Sequence, residues 1–162
     1  AETEDWIQTV RDDFNIEGYV FATAEGQYIK IKTDWYVALH ATKASIESDK
    51  NLFQAITNSS TDDLKSLFSD EYSLNKINAF EKAYIDYLNT SINTITVLTN
   101  KLSGKDRKNY AIDAQSSLSQ SDQMYLFGLV MKSFDQEFEL EDLTASLTDI
   151  FNKYYIKFIP EV

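Results

Sequence analysis

Apolar residues recur at intervals of three and four over most of this 162-residue chain, the spacing that gathers them on one face of an α-helix. The clearest run is Leu74, Ile77, Phe80, Tyr84, Leu88, Ile92 or Ile95, Leu98 and Leu102. It predicts a helix from about Ser73 to Leu102, roughly 45 Å long at ~1.5 Å per residue. Gly104 follows where a left-handed C-terminal cap belongs. Trp6, Val10 and Phe14 predict a shorter first helix that ends between Asn15 and Gly18, with Glu2, Glu4 and Asp5 at its positive end. From Trp35 the helical spacing continues through Leu39, Thr42, Ile46, Phe53 and Ile56, and Asp49 is its one interruption. After a turn at Asn58-Ser59-Ser60-Thr61, a short helix carries Leu64, Leu67 and Phe68.

A third long region runs from Asp106 to Phe138. Ser116, Ser117, Ser119 and Ser121 interrupt it, and a break is expected there because serine hydroxyls compete for backbone hydrogen bonds. The last helix holds Leu143, Leu147, Ile150, Phe151, Tyr154 and Phe158 and must stop before Pro160. Between Gly18 and Thr33 two patterns compete. Tyr28-Ile29-Lys30-Ile31-Lys32 alternates like a strand, and Ala24-Glu25-Gly26-Gln27 reads as a hairpin turn, yet Tyr28, Ile31 and Trp35 also fit a helix. The expected fold is therefore all-α or mainly α. It is a single domain over residues 1–162, a bundle of about four to six antiparallel helices, three of them long, with a small β-hairpin near residues 19–32 as the alternative to helix there.

Composition agrees with this. Ten Tyr, ten Phe and two Trp supply core rings, while one Pro and four Gly leave few turn formers. The net charge of −11 should repel phosphate backbones and anionic lipid. On that ground nucleic acid and membrane surfaces are excluded as partners, and the basic cluster Lys101, Lys105, Arg107 and Lys108 is read as a solvated turn. No apolar run reaches the ~18 residues that span a bilayer. A first residue that is Ala1 rather than methionine leans toward an exported, periplasmic or secreted protein.

Several chemistries are removed at once. Without cysteine there are no thiolate ligands or nucleophiles. With His40 as the one histidine, neither paired Glu-x-x-His motifs nor a His-Glu-x-x-His zinc site can be built. The glycines are isolated, so no phosphate-binding glycine loop is present. No cofactor or metal is expected. The densest charge run, Asp135, Glu137, Glu139, Glu141 and Asp142, lacks the order of a calcium loop and is read as a contact surface for a basic protein partner. The expected function is a non-catalytic binding bundle of the immunity, inhibitor, adaptor or ligand-sensing type. The alternative is a carboxylate-dependent enzyme or small-molecule site, for which Asp49 and Glu81, beside apolar stripes, are the feature to watch.

Overall fold

The computed structural model describes residues 2–58 and 61–162. The expected turn at Ser59 and Ser60, and the stripe position at Thr42, lie outside what is described. Among the described residues the chain is mainly helical, with one two-stranded antiparallel hairpin. It divides into two compact units, Ala1–Asn51 and Leu52–Val162.

In the first unit, α1 (Glu2–Arg11) precedes strands β1 (Gly18–Ala22) and β2 (Tyr28–Lys32), and α2 (Asp34–Ser45) follows. The helix ends earlier than Phe14 because Asn15 turns the chain in the left-handed region, at φ 62°, which Asn tolerates better than most residues. Phe14 therefore sits beyond the helix, its ring edge-on to Trp35 at 5.5 Å. The segment that the sequence left between hairpin and helix is a hairpin. Thr23 and Gln27 close it by a backbone bond of 2.8 Å, and Gly26 takes φ 84° at the tip. In the register Gly18 faces Lys32 and Val20 faces Lys30, while Phe21 on the other side of the sheet meets Trp6 of α1 at 4.6 Å.

Thr33 joins the hairpin to α2. Its buried hydroxyl donates to the carbonyl of Ile16 and accepts from the Tyr36 amide at 3.2 Å, so it acts as the helix N-cap.

The second unit takes its buried apolar residues from Leu52, Phe53 and Ile56 of α3 (Asp49–Asn58), from α4 (Thr61–Lys65) and from the helices after them. α5 (Glu71–Lys101) has 31 residues, and Asp70 caps it by accepting from the Ser73 amide at 2.9 Å. Gly104 takes the expected left-handed conformation, φ 85°. The expected third region is indeed broken after the serines. α6 (Arg107–Gln120) is followed by a 3-10 turn, Met124–Leu126, and then by α7 (Phe127–Asp135). Asp122 makes the reversal at φ 55°. α8 (Leu140–Lys153) runs into a terminal 3-10 turn, Tyr155–Phe158.

α5 packs against α4, α7, α8 and that terminal turn. Its sealed face is Ile77, Phe80, Tyr87, Ser91, Ile95 and Leu98. The expected Leu88 and Ile92 are half-buried beside it. Phe53, Phe80 and Phe151 are fully enclosed, with centroids 4.5 Å apart for Phe53 and Phe80 and 4.6 Å for Phe53 and Phe151. No helix among the described residues is long and apolar enough to cross a membrane.

Candidate functional site

Three surfaces gather chemistry-bearing side chains. The first is the turn between α5 and α6. Lys101 ends α5, Leu102 behind it is buried, and Lys105, Arg107 and Lys108 follow in the solvent-exposed stretch 103–109. Lys105 pairs with Asp113, and Arg107 pairs with Asp135 at 2.8 Å. Lys101 and Lys108 form no ion pair among the described residues. Asp106 stands at the N-cap of α6 but its side chain does not cap the helix; it accepts instead from Asn109 at 2.6 Å. The first amides of α6 are thus left without a side-chain cap. Behind the turn lies a polar cavity of about 360 Å³, lined by Lys101, Lys105, Asp113, Ser116, Ser117 and Gln120. Asp113 offsets Lys105 in this hollow, so Lys101, two hydroxyls and an amide are what it offers an oxyanion.

The second surface is the hairpin. Strand alternation puts Val20, Tyr28, Lys30 and Lys32 on one face, and all four are exposed. Lys32 Nζ lies 5.8 Å from the centre of the Tyr36 ring. Burial, then the charge and hydrogen bond of Glu17, raise the Tyr36 pKa above the ordinary tyrosine value. Gly18 is required where β1 begins, since a Cβ there would lie 2.3 Å from the Ile31 carbonyl oxygen.

The third surface is a cleft beside α5, and its floor is the polar residue in the helix's sealed face. Ser91 is 1% exposed, and its Oγ has no partner at good hydrogen-bond geometry, the Tyr87 hydroxyl being its polar neighbour. Tyr87, one turn earlier, donates to the Leu147 carbonyl at 2.8 Å. Burial, with nearby Tyr125, pushes the Tyr87 pKa far above the ordinary tyrosine range, and the neighbouring Ser91 hydroxyl opposes that rise. A cavity of about 240 Å³ opens over Tyr87 and Ser91 toward Tyr125 and Phe158. It adjoins a second hollow of about 490 Å³, lined by Asp122, Gln123 and Lys157 and sharing Thr90, Tyr125 and Phe158 with the first.

The acidic run expected to form one contact surface is spread over three elements. Asp135 closes α7, Glu137 and Glu139 lie on the exposed link, and Glu141 and Asp142 are in the first turn of α8, where the helix dipole favours them. Glu141 borders a groove of about 600 Å³ with Tyr84, Thr144 and Thr148. Among the described residues no three His, Asp or Glu converge as metal ligands. His40 is exposed on α2, its ring edge-on to Tyr36 at 4.4 Å. Glu81 is held by Lys65 at 3.8 Å, and Asp49 stands in the first turn of α3. Sequence reasoning passed over Ser91, although a polar residue four positions from both Tyr87 and Ile95 was the available signal.

Residues 43–162 match the family described as T4 RNA ligase 1, C-terminal domain. The match covers most of the chain, which belongs to that family. This overturns the expectation of a non-catalytic, exported protein-binding bundle with a basic protein as partner and no contact with nucleic acid. The family takes its name from an enzyme, and from one that acts on RNA. The exclusion of nucleic acid failed because it rested on net charge, and the non-catalytic, exported reading because it rested on missing motifs and on Ala1. A total of −11 is a sum over the whole chain, whereas phosphates are met by local cations, and the cations at the α5–α6 turn are local.

Proposed function

We propose that this member of the T4 RNA ligase 1 C-terminal domain family serves the joining of RNA ends, and that it holds the RNA strand by its phosphates at the Lys101–Lys108 turn. The family match over residues 43–162 carries the reading. The geometry of the turn supports it. Lys101 and Lys108 are solvent-exposed, Ser116, Ser117 and Gln120 offer hydrogen bonds in the hollow behind them, and the uncapped start of α6 presents amides of the kind that phosphates accept. Lys30 and Lys32 on the hairpin supply a second pair of cations suited to phosphate.

Few cations in an acidic chain predict a limited contact. Binding to single-stranded RNA should weaken with salt by a slope of about −0.7 per phosphate engaged, summing to a few phosphates rather than ten. Fluorescence anisotropy with a short labelled RNA at low salt measures this. Reversing charge at both Lys101→Glu and Lys108→Glu should lower affinity at least about tenfold and flatten the salt slope. Failure of the chain to bind RNA at low salt would overturn the proposal, as would equal binding by the doubly reversed variant.

A further inference from the structure

We infer that the cleft beside α5 takes a single unstacked base of the RNA strand, with Tyr125 as its stacking platform and Ser91 as its polar floor. This rests on the reading of the chain as an RNA-handling domain and adds a site that the phosphate contacts do not require.

Ser91 is the first reason. A buried hydroxyl whose polar neighbour, Tyr87, gives its own proton to Leu147 is left under-satisfied, at a cost in free energy that a core alanine would avoid. At this position it points to a ligand that brings the missing donor or acceptor, and the edge of every nucleobase carries both. The walls are the second reason. Tyr125 and Phe158 meet edge-on, 5.5 Å between centroids at 87°, so the face of one ring is set against the edge of the other. Tyr87 and Phe151 back Phe158 at 4.8 and 5.0 Å. Tyr125 is half-buried and so is held in place while still reachable. An aromatic face fixed in this way is what stacks an unpaired base, whatever its identity.

The rim is the third reason. Lys157 Nζ lies 5.8 Å from the centre of the Tyr125 ring and 3.3 Å from Asp122, which places one cation at the mouth for the phosphate next to the inserted base. Asp122, at φ 55° and exposed, lines the outer hollow, and its carboxylate can accept from a base amino group. The inner cavity, about 240 Å³, is small for a drug-sized ligand but suits a single flat ring system.

The test uses the full chain and two labelled single-stranded RNAs of equal length and charge, one complete and one abasic throughout. The complete RNA should bind about tenfold tighter or more, since each stacked base contributes on that scale. Tyr125→Leu should erase this difference and leave binding of the abasic RNA unchanged. Tyr125→Phe should keep it, because the ring is retained. Ser91→Val, which removes the hydroxyl and fills the floor, should reduce the difference independently of Tyr125. Equal binding of the two RNAs by the unmodified chain overturns the base site while leaving the phosphate contacts standing, and that comparison needs no variant to fold. A difference that survives both Tyr125→Leu and Ser91→Val in folded protein also overturns it. Absence of binding to either RNA overturns this inference together with the reading on which it rests.

Discussion

The two units of this protein are held together by different means. Among the described residues of 1–51, Val10 and Ile46 are the buried apolar side chains, and Trp6, Phe14, Val20, Tyr28, Ile29 and Val37 remain exposed. Order there comes from a paired hairpin, ring edges and the Thr33 hydroxyl. In residues 52–162 a sealed stripe on α5 meets Phe53, Leu147 and Phe151, none of which is reached by solvent. One unit relies on backbone geometry and polar bonds near its surface, the other on volume filled away from water. The difference shows where substitutions should act: by backbone strain in the first, by cavities and orphaned polar groups in the second.

The largest effect is expected from Phe151→Ala. It removes an enclosed ring that contacts Phe53, Tyr87 and Phe158, and it should cost about 3–5 kcal/mol in urea unfolding. Phe14→Ala, at a ring 69% exposed, should cost less than about 1 kcal/mol. Comparable losses at the two sites would break the contrast. Next comes Gly18→Ala. The added Cβ meets backbone that cannot swing aside, 2.3 Å from the Ile31 oxygen and 2.9 Å from Lys32 Cα. A cost of about 1–3 kcal/mol follows, seen as faster hydrogen exchange at the β1 and β2 amides with α5 unaffected.

Tyr87→Phe should be milder, about 0.5–1.5 kcal/mol near neutral pH for the lost bond to Leu147, and it should change the alkaline limb of stability. The folded protein holds the Tyr87 proton to higher pH than the unfolded chain, whose tyrosines titrate near 10. The contribution is therefore complete below pH ~10 and is lost as pH rises from there toward the folded value. Denaturation melts between pH 9 and 11 should fall less steeply in the Phe variant. The smallest effect belongs to Asp135→Asn. Its ion pair with Arg107 is solvent-exposed on both sides, so stability should move within about 0.5 kcal/mol, while the freed guanidinium should tighten RNA binding. Weaker binding instead would show that Asp135 positions Arg107 rather than occupying it.

What could be read from the sequence follows the same division. α5 was legible from its N-terminus to Gly104, because a buried helix advertises a regular period and the cap glycine needs positive φ. The break after the serines was legible for a similar reason, since hydroxyls at Ser119 and Ser121 weaken a helix locally. The hairpin was not separable from helix by pattern. Its two strands have five residues each, and Ile29 and Ile31 follow the strand period while Tyr28, Ile31 and Trp35 follow the helical one. Ser91 was missed because the stripe was traced through apolar residues, so the chain was followed to Leu88 and Ile92 while the polar residue carried the sealed face. The function was misread because a charge total has no address and does not show where cations gather.

The reach of α5 has a consequence for how the protein is made. Its sealed face is covered by Leu143, Leu147, Phe151 and Phe158, residues that leave the ribosome long after α5 itself. Through the synthesis of α6 and α7, Tyr87 stands bare on a nascent helix, while Phe80 already has Phe53 to pack on. Closing that face requires a distant segment to return, which slows folding, and an apolar stripe left open in the meantime is what chaperones bind and aggregates grow from.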